Sequence, residues 1–146
     1  VRKLLSNKYI LLFLSCFCVQ TSFAQCELEI HIKGLQNNKG SVGVRLYQTA
    51  ADYKNDNVYK EYKIAPKNLQ ASLTIRNVPK GNYSISVAHD ENLNKKFDKN
   101  ILGIPTESFG FSNNPKIYFG PPSFDQIRFK LDDKSKIMNI RLIQLL

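Results

Sequence analysis

From residue 25 onward, apolar and polar side chains alternate with a period of two, the pattern of strands that bury one face. Leu28, Ile30 and Ile32 share one face, and Val42, Val44 and Leu46 share another. The same alternation runs through Leu69-Ala71-Leu73-Ile75, Tyr83-Ile85-Val87, Ile127-Phe129-Leu131 and Met138-Ile140-Leu142. Shorter strands are predicted at Val58–Ile64 and Lys116–Phe119, and the one helical turn near Ala50–Lys54. His89 keeps the parity of Tyr83, Ile85 and Val87, so it leaves its strand on the core side, whereas His31 has outward parity.

Turn chemistry separates these runs. Asn37-Asn38-Lys39-Gly40 supplies residues that tolerate positive φ, and Gly120-Pro121-Pro122 forbids a regular strand because proline has no N–H to donate. Leu73 to Val87 reads as strand, Pro79-Lys80-Gly81 turn, strand, and resembles the hairpin of transthyretin-like and carboxypeptidase-regulatory-like modules. Seven or eight short strands with one apolar face each need a second sheet to cover that face. The expected fold is therefore all-β, an antiparallel immunoglobulin-like or transthyretin-like β-sandwich.

Before residue 25 the pattern changes. Arg2, Lys3 and Lys8 precede an apolar run from Tyr9 to Val19, and Ser22-Phe23-Ala24 offers a signal-peptidase site. Residues 1–24 are expected to be a signal peptide, leaving 25–146 as a single β-sandwich domain in the periplasm, at the cell surface or secreted. Lipid attachment at Cys16 is the alternative. The run is too short to span a bilayer, so the mature protein is expected to have no transmembrane segment. The whole chain of 146 residues carries 21 Lys and Arg against 12 Asp and Glu, a formal charge of +9. With the leader removed, Cys26 is a lone thiol, which rules out a disulfide framework.

The chemistry concentrates after His89. Counting Asp90 as position 1, Asp90, Asn92, Asn94 and Asp98 put oxygen side chains at positions 1, 3, 5 and 9, with the Lys96 carbonyl at position 7. That is the ligand spacing of a calcium loop. Position 6 holds Lys95 in place of glycine, position 12 holds Ile101 in place of the bidentate glutamate, and Glu107 could fold back to replace it. Lys95, Lys96 and Lys99 offset the acidic charge, which points to weak affinity. The competing reading is a metal-free loop held by Asx-turns.

The stretch His89-Asp90-Glu91-Asn92, Asn94, Asp98, Leu102-Gly103-Ile104-Pro105-Thr106-Glu107, Gly110-Phe111-Ser112-Asn113-Asn114 and Phe119-Gly120-Pro121-Pro122-Ser123-Phe124 resembles the exported bacterial family catalogued as domain of unknown function 2141. That family carries glycines between the asparagines of the acidic loop, where this chain has Leu93 and Lys95. The resemblance implies a signal peptide and a β-sandwich and brings no established activity or ligand. Residues 102–122, rich in Gly and Pro, read as a long stiffened excursion pinned by Phe109, Phe111, Tyr118 and Phe119.

Functionally, the sequence points to an exported, non-catalytic β-sandwich with a binding or envelope-structural role and a weak calcium loop as its one candidate site. The contrasting class is a hydrolase using His89 with nearby carboxylates. No G-x-S-x-G, H-E-x-x-H or P-loop motif supports catalysis. Scattered basic residues without a basic–aromatic motif give no sign of a nucleic-acid partner. An envelope polysaccharide, lipid or protein remains as partner class.

Overall fold

The computed structural model describes residues 25–118 and 120–145. The expected signal peptide, with Cys16, and Phe119 lie outside the described residues. The alternating runs become β1 (Gln25–Lys33), β2 (Ser41–Tyr47), β3 (Lys60–Ile64), β4 (Gln70–Pro79), β5 (Gly81–Asp90), β6 (Phe109–Phe111), β7 (Phe129–Leu131) and β8 (Ser135–Arg141). Two short helices, α1 (Ala50–Lys54) and α2 (Phe124–Ile127), complete the elements. Helix α1 starts where expected because the Thr49 hydroxyl accepts the Asp52 N–H at 3.0 Å, satisfying a donor the helix leaves free.

One sheet has the order β4-β1-β8 and the other β3-β2-β5-β6, with β7 also on β5. Leu28, Ile30 and Ile32 from the first meet Val42, Val44, Leu46, Ile85 and Val87 from the second in one apolar core. Burying each such aliphatic side chain is worth about 1.5–3 kcal/mol. The all-β sandwich is therefore the fold, and Cys26 is buried within its core.

Several local expectations need correction. Strands β4 and β5 do not form a hairpin: β4 pairs with β1 and β5 with β2, so Lys80 sits at a corner between the sheets. Val78 and Tyr83, both buried, anchor the two sides of that corner, and the Tyr83 hydroxyl donates to the Pro79 carbonyl at 2.8 Å. The sandwich is not purely antiparallel, since β1 and β8 run parallel. Leu69 is exposed: Asn68 and Leu69 form the left-handed centre of a tight turn closed by Lys67 and Gln70. Ile127 is buried but ends α2, because Ser123 and Gln126 form a capping box that starts a helix there. Residues 116–118 form no strand, and Tyr118 is exposed and pins nothing.

The 102–122 excursion contains β6, which adds to the free edge of β5 at Ser86–Ala88, while β7 continues the same edge at Gly81–Tyr83. Ser112 joins them. Its N–H bonds the Ile85 carbonyl, and its buried hydroxyl accepts the Ile85 N–H at 3.0 Å and donates to Ile127. Asn114 links the excursion to β8, accepting the Arg141 N–H and donating to the Asn139 carbonyl, both at 2.8 Å.

Candidate functional site

The acidic loop joins β5 to β6 at one end of the sandwich. Asp90 ends β5 opposite Ser41, and its two oxygens accept the backbone N–H groups of Asn94 at 3.1 Å and Lys95 at 2.9 Å. Asn92 Oδ1 accepts the Asn94 N–H, and Asn94 Oδ1 accepts the Lys96 N–H. These bonds curl the chain tightly enough that Leu93 and Lys95 adopt φ of +60° and +63°. Those are the two positions where the resembling family carries glycine, so the backbone makes the glycine-type turn with larger residues.

The curl gathers most of the predicted site. Asp98 receives the amide groups of both Asn92 (2.7 Å) and Asn94 (2.9 and 2.8 Å), and these hold its carboxyl below the usual carboxylate range. Glu107 Oε2 accepts the Asp98 N–H at 3.2 Å, which ties its carboxyl to the loop. Asp90, Asn92, Asn94, Asp98 and Glu107 thus form one connected group. The Lys96 side chain is exposed, and its carbonyl is the only group it could offer a cation.

Glu107 is the unusual member. Its side chain is 5% exposed, yet Oε1 is buried without a hydrogen-bond partner. Burial pushes its carboxyl pKa up, and the charges of Asp98 and Asp90 push the same way, while the backbone N–H groups of Asp98 and Glu91 pull it back. An unpaired buried carboxylate oxygen costs about 1–3 kcal/mol or more, and a proton or a cation would relieve it. Among the described residues no three His, Cys, Asp or Glu side chains form a metal-binding group; the oxygens here are carboxylates and amides mixed.

His89 lies where its parity placed it, fully buried. Its Nε2 is 2.7 Å from the Lys39 carbonyl, which can only accept, so Nε2 carries the proton. Nδ1 is buried, 3.7 Å from Glu91 Oε1, and Glu91 in turn accepts the Asn37 amide at 2.6 Å. His89 and the Glu91 side chain therefore strap the loop to the β1–β2 connection. His31 is on the surface beside Glu29.

Residues 110–114 also prove to be architectural, which single-sequence patterning missed. A side chain at Gly110 would press its Cβ to 2.8 Å from the Arg141 carbonyl, and Asn113 bonds the Gln126 and Arg128 carbonyls. The only local signal was the adjacent Ser-Asn-Asn.

Fold and loop together define an all-β sandwich with an oxygen-rich loop at one end. The chain belongs to the family described as "Uncharacterized protein conserved in bacteria (DUF2141)", whose model matches residues 30–139. No curated protein and no solved structure matches the chain.

Proposed function

We propose that this is an exported, non-catalytic binding module whose 90–98 loop, completed by Glu107, takes a calcium ion weakly. The observation that carries this reading is the buried, unpartnered Oε1 of Glu107, on a carboxyl whose other oxygen already accepts the Asp98 N–H of the acidic loop. Calcium takes six to eight oxygens at about 2.3–2.6 Å, which Asp90, Asn92, Asn94, the Lys96 carbonyl, Asp98 and a bidentate Glu107 could supply. The Asn92 and Asn94 amides would turn about their Cβ–Cγ bonds, giving Asp98 up to the cation and presenting their own oxygens. That exchange, with three lysines close by, favours affinity in the millimolar extracellular class.

The non-catalytic half of the reading is supported by His89. A general base must reach a substrate proton, and this ring is sealed in the core with one nitrogen committed to a backbone carbonyl. Export is supported by the basic start and the apolar run 9–19.

Thermal melting in chelator and then in calcium tests the site. At ten times Kd, calcium stabilises by about 1.4 kcal/mol, a rise of roughly 5 °C for a domain of this size. Asp98→Ala and Glu107→Gln should each remove that rise, and His31→Ala should keep it. A wild-type melting temperature unmoved well above millimolar calcium leaves the Asx-turn loop as the better account.

A further inference from the structure

The outer side of the same region has a different character. Residues 98–106 form a small hairpin: Thr106 N–H bonds the Asp98 carbonyl, Lys99 and Pro105 bridge, and Asn100 N–H bonds the Ile104 carbonyl at 2.9 Å. Gly103 N–H returns to the Asn100 carbonyl, and Asn100 Oδ1 accepts the N–H groups of Leu102 and Ile104. The polar groups of the tip are thus turned inward. Its two central side chains are Ile101, 101% exposed, and Leu102, 76% exposed.

Turn tips ordinarily carry Gly, Asn, Asp or Ser. Two adjacent branched aliphatics there, with Leu93 at 61% and Phe97 at 39% in the preceding curl, make an exposed apolar stretch of the kind that marks an interaction site. Phe97 is fixed by edge contact with Phe109, ring centres 5.7 Å apart, which seats the stretch on β6. Lys95, Lys96 and Lys99 flank it, all exposed, and none forms an ion pair among the described residues.

We infer that this tip docks on an anionic lipid surface, with Ile101 and Leu102 entering the headgroup region and the three lysines lying against lipid phosphates. Exposed apolar side chains flanked in the chain by exposed lysines match such a surface in both respects: the aliphatic groups can leave water, and the long lysine stems can carry their ammonium groups to the phosphates. The lysines are what single out an anionic surface over an uncharged apolar one. The inference does not need the cation proposal: Ile101 and Leu102 supply none of the oxygens that would hold calcium, and the lysines act here through their side chains alone.

The test is co-sedimentation of the processed chain from Gln25, which holds the whole sandwich, with phosphatidylcholine vesicles with and without phosphatidylglycerol, in chelator. Retention is expected on the phosphatidylglycerol vesicles, weakening with salt. The Ile101→Asp, Leu102→Asp double variant should abolish retention, and each single alanine at Lys95, Lys96 or Lys99 should lower partitioning about fivefold. Unchanged melting of these variants shows that the fold is intact, as the exposure of the side chains requires. No retention on anionic vesicles, equal retention on neutral ones, or equal retention of the double variant overturns the inference. So does tip-dependent self-association in the absence of lipid binding.

Discussion

Gly40 offers a sharp test of how the loop end is built. Its φ is +67°, and a Cβ there would lie 1.9 Å from the Asp90 carbonyl oxygen and 2.7 Å from the Glu91 Cα, both backbone atoms. Gly40→Ala therefore acts in two ways. A left-handed non-glycine residue costs about 1–2 kcal/mol, and forcing packed backbone apart costs about 1–3 kcal/mol. Stiffening the unfolded chain returns about 0.4–1 kcal/mol. The net loss is about 1–5 kcal/mol. With an unfolding entropy of about 2.1 cal/mol/K per residue over roughly 120 residues, the melting temperature should fall by about 4–18 °C, with the middle of that range near 11 °C. Gly103→Ala is the control: φ is +77° but nothing lies within 4 Å of the added Cβ. It retains only the backbone cost, so differential scanning calorimetry should show a drop of about 6 °C or less. Equal drops for the two variants would refute the claim that Gly40 is required by close approach of the loop.

Other consequences are as direct. Ser112→Ala leaves the buried Ile85 N–H without its partner and should cost about 1–3 kcal/mol in denaturant unfolding. Because Glu107 has a raised folded pKa, its contribution to stability is fully present below pH about 4.5 and is lost as pH rises through the raised value. In chelator, Glu107→Gln should therefore gain on the wild type as pH climbs toward neutrality; a constant difference from acid to neutral pH contradicts the burial account. Asp98 runs the other way, its contribution present above 3.8 and lost as pH falls through its lowered value. N-terminal sequencing of exported protein should begin at Gln25; an intact leader on cytoplasmic protein would remove the export reading.

Period-two alternation was enough to locate β1, β2, β5 and β8, because their side chains meet the core at every second residue. Strand partners were not legible. A Pro-x-Gly connection serves a hairpin and a sheet-to-sheet corner equally well, and the Tyr83–Pro79 bond that marks the corner has no signature in the pattern. Strand β6 escaped notice because three residues with a central glycine show too little alternation. Within the site, the oxygens at alternate positions were visible, since Asx residues curl their own backbone. The burial of Glu107 depends on β6 pairing beside it, and the left-handed Leu93 and Lys95 run against their own residue preferences.

The pairing of β1 with β8 bears on how the molecule comes into being. Glu27 meets Ser135 and Lys33 meets Arg141, so the central strand of the three-stranded sheet waits for partners made over 100 residues later. Closing so large a span is slow, and a chain dominated by distant pairings stays open while it is still emerging. A polypeptide threaded through a narrow channel from its first residue would keep β1 single on one edge until β8 had followed it across.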